Sequence, residues 1–167
     1  MIQRIQTIYL GLAFVCMVLL LIFPIFSISI TSETVEDSYA VFGPYGIMSE
    51  EGNQGEFPMY LVYISLSLIS LMGIFLFKKR KRQLAVTRFN LMLHFLLVIA
   101  IYAVYFIGRG SLEEGLRNQD AMLADVQVKF GMDVGFFLVI PAMVFVYLAI
   151  RGIKTDIKLT QMTERLR

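Results

Sequence analysis

Tryptophan is missing from this chain of 167 residues, and cysteine and histidine occur once each, as Cys16 and His94. One thiol rules out an internal disulfide, and one thiol with one imidazole make no Cys/His cluster for a metal site. Charge is also scarce. Only 17% of residues are charged against 57% hydrophobic, and the mean hydropathy of +0.71 is far from that of a soluble domain. More telling is where charge is missing. Four stretches, Ile5–Phe26, Phe57–Phe77, Leu84–Ile107 and Met132–Ile150, contain no Asp, Glu, Lys or Arg apart from residues near their boundaries. Each is about as long as the ~20 residues a helix needs to cross ~30 Å of hydrocarbon. The expected fold is therefore an all-α membrane protein, a single domain over 1–167 built as an up-and-down bundle of four transmembrane helices. Outer loops 27–56 and 108–131, an inner loop 78–83 and a tail 151–167 complete the chain.

The charges that are present segregate. Arg4, the run Lys78, Lys79, Arg80, Lys81 and Arg82, then Arg88, and finally Arg151, Lys154, Lys158, Arg165 and Arg167 fall on the side of both chain ends. The opposite side holds only Arg109, Arg117 and Lys129, and it collects Glu33, Glu36, Asp37, Glu50, Glu51 and Glu56 in its first loop. Basic residues near span ends mark the cytoplasmic face, which predicts both termini inside. The basic run suits a topology determinant touching anionic headgroups rather than a nucleic-acid patch, because it lies between two spans. Lys78, Lys79, Arg80, Lys81, Arg82, Arg88, Arg151, Lys154 and Lys158 are the expected headgroup contacts. Arg88 and Asn90 together form a candidate grip on a lipid phosphate, against the plainer reading that Arg88 snorkels. The first span is expected to be retained, since its apolar run is too long for a signal peptide and no small-residue cleavage pattern precedes Ser27.

Between the spans the periodicity changes. Phe26-Ser27-Ile28-Ser29-Ile30-Thr31 alternates as a strand does, and Tyr39–Phe42 followed by Gly43-Pro44-Tyr45-Gly46 reads as strand then turn. A hairpin over Phe26–Phe42 is predicted outside the membrane, with residues 49–56 as a solvated loop. In the other outer loop, Ser111 and Glu114 have capping-box spacing and predict a short helix over about 112–123, with Leu112, Leu116 and Leu123 on its membrane side. The alternating Val126–Phe130 segment is a candidate extra strand on the hairpin. Pro24 should end or kink the first helix and Pro141 should kink the fourth. Gly131 and Gly135 match GxxxG, and Gly11 with Ala13 offers another small-residue contact surface. The tail after Ile150 reads either as a helix on the inner headgroups or as an extension of the fourth span.

Polar residues inside the spans are few. Asn90, His94 and Tyr105 form a stripe on the third span, and Tyr63, Ser67 and Ser70 share a face of the second at helical spacing. Tyr60 and Tyr63 are expected at the outer interface. A hydrogen bond from His94 to Ser70, with Ser67 as alternative, would satisfy the imidazole. The candidate intramembrane cluster is thus His94, Asn90, Ser67, Ser70 and Tyr105. An ionisable side chain in a span is a functional candidate by default, for proton transfer or quinone contact. Bundle packing is the plainer explanation. Cys16 reads as an inert buried thiol.

Three segments carry a family resemblance. They are the opening Met1-Ile2-Gln3-Arg4-Ile5-Gln6-Thr7-Ile8-Tyr9-Leu10, the middle Phe75–Leu84 with Arg88-Phe89-Asn90, and the closing Ala149–Lys154 with Thr163–Arg167. Together they resemble a Bacteroidota family of four-span membrane proteins of unknown function, domain of unknown function 4293. The resemblance implies a bacterial inner-membrane location and carries over no catalytic, cofactor or metal residue. From the residues themselves no enzyme activity and no cofactor is expected. Two functions remain: a non-enzymatic accessory or scaffold subunit of a membrane assembly, or a small transporter or redox subunit using the stripe around His94. The expected partners are the lipid bilayer with anionic headgroups on the cytoplasmic side and a membrane protein or second copy of the chain, with no nucleic acid.

Overall fold

The computed structural model describes residues 2–31, 38–49, 52–55, 59–119 and 127–165. Helix α1 covers Ile2–Leu19, α2 Met59–Phe75, α3 Arg80–Gln119 and α4 Val134–Arg165, with a 3-10 turn at Leu76–Lys78. Strands β1 (Phe26–Thr31), β2 (Ser38–Gly43), β3 (Gly46–Ser49), β4 (Gly52–Gly55) and β5 (Gln127–Met132) complete the order. Each helix packs against its sequence neighbour and α1 closes the ring against α4. Residue pairs at both ends fix the direction. Gln6 approaches Gly152 at one end of the α1–α4 pair, and Pro24 approaches Gly135 at the other. Asn90 meets Ser70 across α2 and α3. The result is an up-and-down four-helix bundle.

Three of the helical segments, Met59–Lys78, Arg80–Gly108 and Val134–Met162, are long and apolar enough to cross a membrane, while Ile5–Leu19 is a shorter apolar helix. Hydrogen bonds of helical type continue past α1, through Phe23 N–H to the Leu19 carbonyl at 3.0 Å, and stop before Pro24, which lacks a donor. Apolar side chains lie on the outside of the bundle as well as in its core, and several polar ones lie inside. Ile22, Leu61, Phe75, Phe95, Phe106 and Phe137 are among its exposed large apolar side chains, whereas Gln6, Gln83, Thr87, Asn90 and His94 are buried.

A five-stranded sheet in the order β4-β3-β2-β1-β5 sits on one end of the bundle. The hairpin of β1 and β2 pairs Phe26 with Phe42 and Ile28 with Ala40, and β5 joins the other edge of β1 with Phe26 opposite Met132. Both candidate strand regions are thus in one sheet. Gly46 (φ 120°) makes the tight turn after Pro44-Tyr45 and lets the chain fold straight back as β3, and within the stretch 49–56, expected as a solvated loop, residues 52–55 form β4 against it. The expected short helix at 112–123 does not start anew. Ser111 lies inside α3, which runs unbroken to Gln119, so its backbone never adopts the non-helical N-cap conformation a capping box requires. The side chains of Leu112 and Leu116 and all of Leu123 lie outside the described residues. Helix α4 also runs through Pro141 without interruption and absorbs the tail, favouring the extension reading.

Sheet and bundle are joined by backbone. Ile25 N–H donates to the Phe42 carbonyl at 3.0 Å, Asp133 N–H to Ile25 at 2.9 Å, and Gly135 N–H to Pro24 at 2.8 Å. The glycine match is therefore not a helix–helix motif. Gly131 lies in β5 against Ser27, and Gly135 lies where α4 begins, with an added Cβ only 2.4 Å from the Pro24 carbonyl oxygen. Gly11, by contrast, has nothing within 4 Å of such a Cβ. Gly135→Ala must push backbone against backbone and should destabilise the protein by about 1–3 kcal/mol, while Gly11→Ala should be neutral or stabilising by about 0.5–1 kcal/mol. Apparent melting temperatures of the two variants in detergent test this contrast.

Candidate functional site

The second and third helices meet along a buried polar seam. Helical spacing puts Tyr63, Ser67, Ser70 and Gly73 on one face of α2, and Gln83, Thr87, Asn90 and His94 on the opposing face of α3. All seven side chains are buried, and those of Tyr63, Ser70, Asn90 and His94 are fully so. The expected outer-interface position of Tyr63 is therefore corrected: its ring is part of the core, while Tyr60 stacks near Tyr45 with ring centroids 5.6 Å apart.

The seam begins at the basic end. There α2 runs out of turns and leaves unpaired carbonyls, as every helix does. Gln83 Nε2 donates to the Gly73 carbonyl at 3.0 Å, so a side chain of α3 caps α2. Thr87 donates to the carbonyl of Gln83 at 2.8 Å. One turn on, Asn90 Nδ2 donates to Ser70 Oγ at 2.7 Å, and Ser70 in turn donates to the Leu66 carbonyl at 3.0 Å. Because that carbonyl can only accept, Ser70 Oγ must accept from Asn90, which fixes the amide orientation. Ser67 turns to its own helix and donates to the Ile64 carbonyl at 2.8 Å.

His94 is not bonded to Ser70. Its Nδ1 lies 2.9 Å from the Asn90 carbonyl, so Nδ1 carries the proton and donates, and Nε2 of the neutral ring is left as an acceptor. The expected pairing fails because Asn90, one turn closer to Ser70, takes the hydroxyl first. Tyr105 is also separate from the cluster. Eleven residues beyond His94, about 16 Å at ~1.5 Å per residue, its ring packs 5.5 Å from that of Phe26 under the sheet. The stripe of Asn90, His94 and Tyr105 is thus split between two levels of the molecule.

Among the described residues, four buried side-chain atoms have no protein hydrogen-bond partner: Gln6 Nε2, Tyr63 Oη, Asn90 Oδ1 and His94 Nε2. Gln6, on α1, lies against Gly152 of α4 and carried no weight in the sequence reading, although a lone glutamine in an apolar run is itself a signal. Buried donors and acceptors of this kind are each suited to an internal water. Among the described residues no group of three His, Cys, Asp or Glu is placed to hold a metal.

At the basic end a second tie joins α3 to α4. Arg80 Nε pairs with Asp156 Oδ2 at 3.3 Å, and its Nη1 donates to the Asp156 carbonyl at 3.3 Å and to Thr160 Oγ1. Arg80 is therefore a protein contact before it is a headgroup contact. Lys79, Lys81, Arg82, Arg88, Arg151, Lys154 and Lys158 are exposed, and Lys78 extends over the Phe77 ring with Nζ 5.9 Å from its centroid. Asn90 faces the seam while Arg88 is exposed, so these two do not form a joint phosphate grip.

These features define a mostly helical protein with apolar helices long enough to cross a membrane, an apolar outer surface along them and a polar seam inside. The chain belongs to the family described as Domain of unknown function (DUF4293), whose model matches residues 2–166. No curated protein matches it.

The Asn90–Ser70 bond should behave as an interhelical hydrogen bond in an apolar surround. A double-mutant cycle of Asn90→Ala and Ser70→Ala, read from unfolding free energies in mixed micelles, should give a coupling of about 0.6–1.7 kcal/mol.

Proposed function

We propose that this chain is a four-span protein of a bacterial cytoplasmic membrane, with both ends on the cytoplasmic face, acting as a non-enzymatic accessory or scaffold subunit. The bundle carries the membrane part of the reading: large apolar side chains outside and amide, hydroxyl and imidazole groups inside suit lipid as the solvent. The first helix fits a fourth span. Helical hydrogen bonding from Ile2 to Phe23 gives about 33 Å at ~1.5 Å per residue, a hydrocarbon thickness. Lysines and arginines gathered at the end opposite the sheet supply the orientation. On this reading the sheet is an outer platform, and Lys79, Lys81, Arg82, Lys154 and Lys158 meet anionic headgroups inside.

The role rests on the ties at both ends of the bundle. Alternating access needs a bistable element. Here backbone bonds lock α1, the sheet and α4 together, while Gln83 and the Arg80–Asp156 pair lock the opposite end. Such a body is suited to present a fixed surface to a membrane protein partner or a second copy. Affinity purification of the tagged full chain in mild detergent should recover a reproducible, stoichiometric partner. A monomer or homodimer without one would remove the hetero-subunit reading.

The unpartnered His94 Nε2 and Tyr63 hydroxyl favour a second reading, a small transporter or redox subunit working through His94. Growth and transport unchanged in both His94→Gln and His94→Ala would end it. Orientation has its own test. With Cys16 buried, Lys129→Cys should react with a membrane-impermeant maleimide on intact spheroplasts, and Lys158→Cys only after permeabilisation. The reverse pattern would invert the topology.

A further inference from the structure

Between α3 and α4 a groove of about 550 Å³ opens on the outer face of the bundle. This is within the ~300–1,000 Å³ common for small-molecule sites. Leu91, Met92 and Phe95 of α3 line one wall, Val144 and Tyr147 of α4 the other, and Arg88 stands at one end. The walls are apolar and open: Phe95 is 57% and Tyr147 52% exposed. The single charged side chain on this lining has no ion-pair partner among the described residues. Among the described residues the one ion pair is Arg80–Asp156, and Arg88 is exposed.

Position makes that charge informative. Arg88 is six residues, about 9 Å, along α3 from Arg82 and the basic end. A guanidinium at that depth beside lipid is costly unless it reaches the interface or an anion reaches it. Tyr147 lies toward the same end of the groove on antiparallel α4, and Arg151 follows it by one turn on the same face, exposed. Arg88 thus lies on the lining at the basic end of an apolar trough, and Arg151 stands one helical turn beyond Tyr147, the lining residue of α4 nearest that end. An arginine that merely snorkels needs no trough. A ligand with a phosphate at one end and a long apolar chain at the other uses both.

We propose that this groove binds one anionic phospholipid, its phosphate held by Arg88 and Arg151 and an acyl chain lying along Phe95 and Val144. The proposal rests on reading these helices as membrane spans. It extends that reading from general headgroup contact to a site with a defined occupant. Guanidinium groups match phosphate oxygens in bidentate geometry, so Arg88→Lys is not a conservative change here.

The full-length protein, extracted in mild detergent and delipidated, is returned to nanodiscs of phosphatidylglycerol and phosphatidylcholine in equal parts, and retained lipid is read by native mass spectrometry. One phosphatidylglycerol per chain should be kept in preference to phosphatidylcholine. Arg88→Gln, a change at an exposed site, should weaken that retention about fivefold, the worth of one basic residue at an anionic surface. Val144→Trp should fill the trough and abolish retention, while Lys129→Gln at the sheet should change nothing. Equal retention of both lipids, or retention indifferent to Arg88→Gln and Val144→Trp, overturns the site. So does thermal protection by inorganic phosphate as large as that by phosphatidylglycerol, which would make the occupant a free anion. A dimer fraction that moves with Val144→Trp while lipid does not would make it a second copy. A chain that does not enter nanodiscs at all defeats the membrane reading as well; one that enters but keeps no lipid defeats the site alone.

Discussion

The bundle depends on one constraint: polar groups buried between its helices must find their partners there, because an unpaired buried group is costly. A helix satisfies its own middle but leaves its last carbonyls bare. The chain answers with side chains from the neighbouring helix. Gln83 caps Gly73, and the Asn90 amide passes through Ser70 to the Leu66 carbonyl. The α2–α3 pair is thereby fixed in register by hydrogen bonds, which apolar packing alone would leave free to slide. The acidic partner of Arg80 does the same for α3 and α4. That bond matters more than a surface ion pair would, since α3 opens on Arg80-Lys81-Arg82 at the end where its dipole disfavours cations.

The opposite end is solved with backbone instead. Strands have an open row of donors and acceptors, and β1 finds partners on both sides, in β2 and β5. Because β1 begins just past Pro24, where the helical hydrogen bonding after α1 stops, and β5 precedes α4 by a single residue, the sheet hydrogen-bonds across the helix ends. Glycine at 135 is what permits the approach, and Phe26, Phe42 and Tyr105 fill the space between sheet and helices. Loops distant in sequence become one layer, and the two halves of the bundle are held by something stiffer than side-chain packing.

How much of this was legible depends on the range of the interaction. Periodicity and charge are local, so the apolar helices, the β1–β2 pairing and the β5 segment could be read from residues alone. Gly46 was visible as a turn, but that it would start another hairpin was not, since β3 and β4 are four residues each and lack a clear alternating pattern. Capping-box spacing at Ser111 misled because a short motif cannot overrule a helix already under way from Arg80. The polar stripe shows the same limit at the site. Spacing put Asn90 and His94 on one face correctly, yet which of them would reach Ser70 depended on the depth at which α2 and α3 cross. Tyr105 shares their face but belongs to the sheet. Gln6 was missed outright, its importance set by Gly152, 146 positions away.

The remaining asymmetry lies within the seam itself. Its basic half, from Gln83 to Ser70, is a closed chain of donors and acceptors, apart from one free oxygen on Asn90. Its other half leaves His94 Nε2 and the Tyr63 hydroxyl unanswered by protein. If packing alone governed these positions, Phe at 63 and Leu at 94 would fill similar space with no polar atom to satisfy, and burying an unpaired group costs about 1–3 kcal/mol. An acceptor and a donor retained within a few turns of each other, one on each helix, are matched in kind. They could be bridged by a single small polar molecule, whereas either residue alone would be a plain liability. The ties above and below, Ile25, Asp133 and Gly135 at the sheet and Gln83 and Arg80 at the basic end, hold α2 and α3 so that this pair keeps its depth.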